Sequence, residues 1–309
     1  SGLGHDVIFG GSGDDLITSG IGDDTIYGGD GDDVINGGVG SDYIEDGAGD
    51  DLIYAGDGDD TVYSSRGTDT IDGGQGNDTI TFTVDHNDDE AGLSGIALDL
   101  QTGEAINSDG VAETITNFEN VNATGGDDTV YGSEGDNAIY GLKGDDQLYG
   151  RGGDDHIGAG LGSNIIDGGS GTDIADYSSI NIDTTVDLST GIVSKVDGTS
   201  DTLISIENII GSAGDDFIYG NVDDNVLTGG LGDDLLDGSL GFDTALFHGS
   251  MSGYAIDFAN STITDIDPTD GDFGTDILNN IEAISFSDGG TVGYEVTSLP
   301  ETQVNTYTS

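Results

Sequence analysis

Aspartate recurs every nine residues through the first part of the chain, at Asp6, Asp15, Asp24, Asp33, Asp42, Asp51, Asp60, Asp69 and Asp78. Two residues before each stands Gly, and two residues after each stands Ile or Val. Residues two apart in an extended segment face the same side, so this spacing puts every carboxylate on the face of an aliphatic side chain. The Gly-rich half of each unit supplies the φ > 0 conformations that a tight turn needs. Two units then make one coil of two strands and two turns. Stacked coils set each aspartate beside the one eighteen residues away, across about one strand spacing of ~4.8 Å. Carboxylates in such a column repel strongly unless a cation lies between them. Carboxylates and turn carbonyls are oxygen donors only, which suits a hard ion with six or more ligands, Ca²⁺ rather than Zn²⁺ or Cu²⁺.

The elements that must position these acids are legible as repeats. Cut into nines from Ser1, residues 1–81 give nine units without insertion, from SGLGHDVIF through GGDGDDVIN to GGQGNDTIT. The pattern returns in six units from Ala123 to Asp176 and in four from Gly211 to Leu246. The sixth position there holds Asp128, Asn137, Asp146, Asp155, Asn164 and Asp173, then Asp216, Asn225, Asp234 and Asp243. These later blocks are less regular: Leu142 and Arg151 stand at position two, Asp223 at position four, and Ala175 and Ala245 at position eight. A longer segment follows each block, beginning GIALDLQTGEA, TTVDLSTGIVS and YAIDFANSTIT. Each reads as strand, turn, strand, acidic loop and a short strand around FEN, IEN or IEA. Three domains are expected, at 1–122, 123–210 and 211–309, the last with a Ser/Thr-rich tail. No long apolar run has helical spacing.

The units resemble the RTX nonapeptide G-G-x-G-x-D-x-U-x, the repeat of calcium-loaded parallel β-rolls. The resemblance implies an all-β fold, a right-handed parallel β-roll (β-solenoid) in three blocks, each followed by a β-strand insert. It also implies ions between turns two repeats apart, each held by both position-six carboxylates and by backbone carbonyls of positions one to four. The nine aspartates of the first block carry that role on full motifs, with turn carbonyls around Gly13, Gly22, Gly31, Gly40, Gly49, Gly58 and Gly67. Asp128, Asp146, Asp155, Asp173, Asp216, Asp234 and Asp243 carry it on less regular motifs. Asn137, Asn164 and Asn225 keep an oxygen but lose a charge, so weaker sites are expected there. Pairing units two apart within blocks of nine, six and four gives thirteen expected sites.

Composition narrows the function. The chain has 62 acidic residues against four basic ones, a formal charge of −58, with 33% hydrophobic residues. Such a chain cannot collapse unaided, so the metal-free state is expected to be disordered. It repels nucleic acid and anionic lipid, and no apolar run reaches the ~20 residues of a membrane span. Without cysteine, stability must come from metal rather than disulfides. No metalloprotease, serine-hydrolase or cysteine-nucleophile motif occurs, and His5, His86, His156 and His248 share no spacing, so the chain is not expected to be an enzyme. The acids at Asp265, Asp267, Asp270, Asp272 and Asp276 fail the EF-hand template and read as a solvated turn, with an extra calcium loop as the alternative. Asp88, Asp89 and Glu90 also read as a solvated turn. Phe9, Tyr27, Tyr54, Tyr63, Tyr131, Tyr140, Tyr149 and Tyr219 share position nine on the outer face. They suit half-exposed strands, or a contact surface for a glycan or partner protein.

The expected function is therefore a secreted calcium-binding structural or adhesive module, folded by extracellular Ca²⁺, in a cell-surface, matrix or filament-forming protein exported by a type I system. The alternative is the C-terminal folding and secretion module of a type I-exported exoenzyme. Ser1 falls on position one of a well-formed repeat with no capping sequence, so self-association through the N-terminal end is also expected.

Overall fold

The nine-residue period becomes an eighteen-residue strand register in the computed structural model, which describes residues 2–82, 94–267 and 274–293. The chain divides into two compact units, residues 1–164 with 169–171, and residues 165–168 with 172–309. Apart from one 3₁₀ turn at Met251–Gly253, the described elements are strands.

In the first unit alternate repeats feed alternate sheets. Leu16–Ile21, Val34–Val39, Leu52–Asp57 and Thr70–Gln75 pair in parallel, with Leu16, Val34, Leu52 and Thr70 side by side. Val7–Ser12, Thr25–Asp30, Tyr43–Ala48, Thr61–Ser64 and Thr79–Phe82 form the other series, again shifted by eighteen. Position eight fills the space between the sheets: Ile26, Ile35, Ile44, Ile53, Val62, Ile71 and Ile80 are fully buried. The core is thus two stacks of β-branched side chains, one per strand, and parallel strands covered on the inner face bury them without a helix.

The turns explain the glycines. Gly31, at position four, has φ 128°, a conformation that a Cβ makes costly. Two side chains at position two accept that strain: Leu142 has φ 69° and Arg151 has φ 78°. Arg151 is held by a bidentate ion pair with Asp99 at 2.8 and 2.7 Å, and its guanidinium lies 5.3 Å from the centre of the Tyr131 ring.

The insert of the first unit is a three-strand meander that keeps the roll running. Ala97–Asp99, Glu104–Ile106 and Ala112–Thr116 pair antiparallel. The outer two strands pair in parallel with repeat strands, Ala112–Thr116 with Thr70–Gln75 and Ala97–Asp99 with Thr129–Tyr131. Asn120–Asn122 does the same in the other sheet, between Thr79–Phe82 and Ala138–Tyr140. The second unit repeats the plan with Thr184–Asp187, Ile192–Lys195 and Ser200–Ile204. There Ser200–Ile204 pairs with Ile165–Ser170, and Thr184–Asp187 with Phe217–Tyr219. A third meander, Tyr254–Asp257, Thr262–Asp265 and Thr275–Asn279, joins Leu235–Asp237 through its last strand.

Candidate metal centre

Position six points inward with position eight, as the spacing requires. Asp24, Asp33, Asp42, Asp51, Asp60, Asp69 and Asp78 are all buried, while Asp6 and Asp15 at the start of their columns are half-buried. From Asp6 to Asp60 the backbone N–H donates to Oδ1 of the aspartate eighteen residues on: Asp6 to Asp24 at 2.7 Å, Asp15 to Asp33 at 2.8 Å, Asp33 to Asp51 at 2.7 Å and Asp60 to Asp78 at 2.8 Å. A second, exposed ladder runs the other way at position five, from Asp32 N–H to Asp14 and from Asp50 N–H to Asp32. The first ladder leaves Oδ2 over. That oxygen is buried without a hydrogen-bond partner at Asp24, Asp33, Asp42, Asp51, Asp60, Asp69, Asp78, Asp146, Asp234 and Asp243. A buried acceptor left unpaired is costly, and a row of them in register marks a place for a cation.

The surrounding backbone has the matching shape. A Cβ built on Gly28 would run into the carbonyl oxygen of Asp46 and lie 2.8 Å from Asp33 Oδ2. One on Gly37 would meet the Ala55 carbonyl and lie 2.6 Å from Asp42 Oδ2. Position one therefore opens a cradle lined by a carboxylate oxygen and a carbonyl oxygen from the next coil, and glycine keeps it clear. These donors fit Ca²⁺, and the position-six pairs with their turn carbonyls are the residues that would hold it. Gly13, Gly22, Gly31, Gly40, Gly49 and Gly58 lie in the same turns and donate their N–H groups to residues seventeen further on, at 2.6 to 3.0 Å. Gly67 closes that row at φ 157°.

Several of these acids are raised above the ordinary carboxylate range. Burial is the main cause, opposed by the donated backbone N–H and reinforced by neighbouring carboxylates. Asp42, Asp69, Asp78 and Asp243 are pushed up to about 6. Asp51, Asp60 and Asp234 reach about 7, and Asp146 about 8. Bound calcium supplies the positive charge that lets such groups ionise.

The columns extend beyond the nonapeptides. Glu119 accepts the Asp78 N–H at 2.8 Å, Glu207 that of Asp173 at 2.9 Å, and Glu282 that of Asp243 at 2.8 Å. Asp276 accepts the Asp234 N–H at 2.9 Å, is buried, and is pushed by burial to about 8. The reading of the 265–276 cluster as a solvated turn therefore fails at Asp276, because strand pairing seats it in a position-six slot; Asp270 and Asp272 lie outside the described residues. Glu113 takes the equivalent register beside Asp69, with Thr114 opposite Thr70. Each of these acids precedes an aliphatic residue by two, as in Glu119-Asn120-Val121, and that signal was present without the Gly-rich half.

Three kinds of position-six residue differ from the rest. Asn137 donates its side-chain N–H to the Glu119 carbonyl at 2.8 Å, and Asn225 donates to the Glu207 carbonyl at 2.7 Å. At both, an amide N–H meets the backbone oxygen, and the side-chain oxygen accepts a turn N–H, from Ser133 and Asn221 respectively. Asp128 and Asp216 begin their columns with both oxygens satisfied. Thr124 and Ile96 serve Asp128, while Ser212 and Thr184 serve Asp216. Asp155, Asn164 and Asp173 are buried in their repeats like the first-block residues. In the second insert, Asp201 occupies the slot and pairs with the Lys195 ammonium at 2.9 and 3.0 Å, both side chains wholly buried.

Of the histidines, His5 and His248 are exposed and His156 is half-buried, while His86 lies outside the described residues, as do Asp88, Asp89 and Glu90. Several outer aromatics form ladders: Phe9 stacks on Tyr27 at 4.9 Å and Tyr131 on Tyr149 at 4.7 Å. Tyr43, a position-seven residue, joins the first ladder between Tyr27 and Tyr63.

A family model described as the RTX calcium-binding nonapeptide repeat matches residues 1–35, 9–44, 36–71, 45–80, 122–157, 140–175 and 207–245. Together these matches span more than half of the 309 residues. No curated protein matches the chain.

Proposed function

The chain belongs to the RTX calcium-binding nonapeptide repeat family, and we propose that it serves as a non-enzymatic structural or adhesive module folded by extracellular calcium. It is a calcium-binding module of a kind typical of secreted proteins. No helix among the described residues is long and apolar enough to cross a membrane. The observation that carries the proposal is the row of buried, unpartnered Oδ2 oxygens in register along the first block. A fold whose core is lined by carboxylates is stable only when they are neutralised, so folding and calcium binding become one event. In the calcium-poor cytosol the chain stays unfolded and can be threaded through a type I exporter; outside the cell it folds. The acids are absorbed by the ladder, which leaves them a structural rather than a catalytic task. The adhesive part is supported by the aromatic ladders, whose ring faces suit sugars or a partner's apolar side chains.

The test is circular dichroism during calcium titration of the stripped chain, followed by retention of the loaded chain on glycan-coated surfaces. β structure should appear with calcium, and retention should vanish on chelation and on Tyr27→Ser with Tyr149→Ser. A fully folded chain in excess chelator would remove the folding role. Retention indifferent to the tyrosines would remove the adhesive face.

A further inference from the structure

Position one is Gly, Ser or Ala in eight repeats of the first block, but in the sixth it is Asp46. The cradle geometry gives this departure from the family motif a consequence. At Gly28 and Gly37 a side chain at position one would enter the space beside the position-six Oδ2. Asp46 is such a side chain, only 1% exposed. Its carboxylate accepts the N–H of Gly47 at 2.6 Å and that of Ser65 at 3.1 and 3.2 Å. One oxygen each from Asp46, Asp51 and Asp69 lie within 4.8 Å of one another. Three atoms that close leave a common point no more than about 2.8 Å from each, a few tenths of an ångström from a Ca²⁺–oxygen bond of ~2.4 Å, so small side-chain shifts let one ion touch all three.

A cluster of acids alone would not make a site. Here two oxygens have no other use. Asp51 Oδ1 is taken by the Asp33 N–H and Asp69 Oδ1 by the Asp51 N–H, while Oδ2 of both is buried without a partner. Asp51 and Asp69 are 3% and 1% exposed, so water does not serve those atoms instead.

We propose that Asp46 makes the Asp51–Asp69 step a three-carboxylate calcium site, the tightest of the first unit. Other steps of the ladder offer two position-six carboxylates, each shared with the next step. A third carboxylate leaves the step more negative, and donor charge is a main determinant of calcium affinity. The hydrogen bonds from Gly47 and Ser65 fix the added carboxylate before the ion arrives, which lowers the ordering cost of binding. This rests on calcium filling the neighbouring steps of the column.

Native mass spectrometry of the full chain across graded chelator tests it, comparing wild type with Asp46→Gly and Asp46→Asn. The glycine variant restores the motif of neighbouring repeats, and the asparagine variant keeps the shape while removing the charge. Wild type should retain one ion after the others of the first unit are stripped. Both variants should lose that ion at free calcium roughly tenfold higher or more. The same ions held at every chelator level by wild type and both variants would overturn the proposal. So would an extra ion in Asp46→Gly, since the aspartate would then be filling the cradle itself. Either result leaves calcium binding by the repeats intact, whereas a wild type that binds no calcium would overturn both.

Discussion

The aspartate ladder of the first unit and the Lys195–Asp201 pair of the second meet the same difficulty by opposite means. Both bury carboxylates in a position-six slot between strands. Along the ladder Oδ2 is left without a protein partner at Asp33, Asp51 and Asp69, and neutralisation must come from outside. At Asp201 the cation is covalently part of the chain: Lys195 Nζ bonds both carboxylate oxygens, beneath the Tyr177 ring at 5.8 Å. The meander makes this substitution available. Two residues after the one paired with the slot acid stands Asn107 in the first insert, which bonds Glu113; Lys195 in the second; and Asp265 in the third. The same register position thus carries a neutral, a positive and a negative side chain in the three inserts.

The largest effect expected is from chelation. Residues 15–82 should lose their amide protection in excess chelator, while Ile192–Lys195 and Ser200–Ile204 exchange more slowly at the same free calcium. Hydrogen exchange at graded calcium measures this, and equal loss in both regions would break the contrast.

Next in size is Lys195→Met. Removing one partner of a buried pair leaves an uncompensated charge and costs roughly 3–5 kcal/mol. Denaturant unfolding in saturating calcium should show it, with the loss confined to the second unit. A variant as stable as wild type would mean that the pair is not what neutralises Asp201.

Protons sharpen the comparison because they compete with calcium on the ladder alone. The ladder carboxyls are raised from 3.8 to about 6 at Asp42 and Asp69 and about 7 at Asp51 and Asp60. A raised carboxyl stabilises the ion-free fold fully below the unfolded value near 4, and that stability is lost as pH rises through the folded value. Ion-free protein should therefore gain β structure on acidification from about pH 8 to pH 5, and calcium affinity should fall across the same range. Circular dichroism in metal-free buffer, with calcium isotherms at each pH, reads both. An ion-free chain that loses structure on acidification over that range would contradict the buried ladder.

Asp33→Ala against Asp243→Ala is a smaller test. Asp33 lies between Asp15 and Asp51 and serves two steps, whereas Asp243 lies between Asn225 and Glu282. The first change should remove more bound calcium, read by equilibrium dialysis. The smallest change expected is from Asn137→Asp, which replaces the amide bonded to the Glu119 carbonyl by an acceptor. It should add one weak ion and little stability.

Much of this was present in the sequence, and the reason is periodicity. A fixed nine-residue interval with Asp and Ile two apart allows one repeating backbone path, so the register of Asp24, Asp33 and Asp42 follows from counting. Asn137 and Asn225 were visible as departures, but not what they do, because their amide nitrogens find carbonyls of Glu119 and Glu207 that belong to inserts. Counting stops at an insertion. Glu119 reaches Asp78 across 41 residues, Glu207 reaches Asp173 across 34 and Glu282 reaches Asp243 across 39, three separations with no common period. Parallel pairing of Asn120–Asn122, Asn208–Ile210 and Ala283–Phe286 with repeat strands sets those contacts, and pairing of the meander strands buries Lys195 against Asp201. Asp46 shows the same division within one repeat. The sequence determined that position one carries a carboxylate there; only the tertiary structure decided that it faces inward, because the turn aims position one at the oxygens of Asp51 and Asp69.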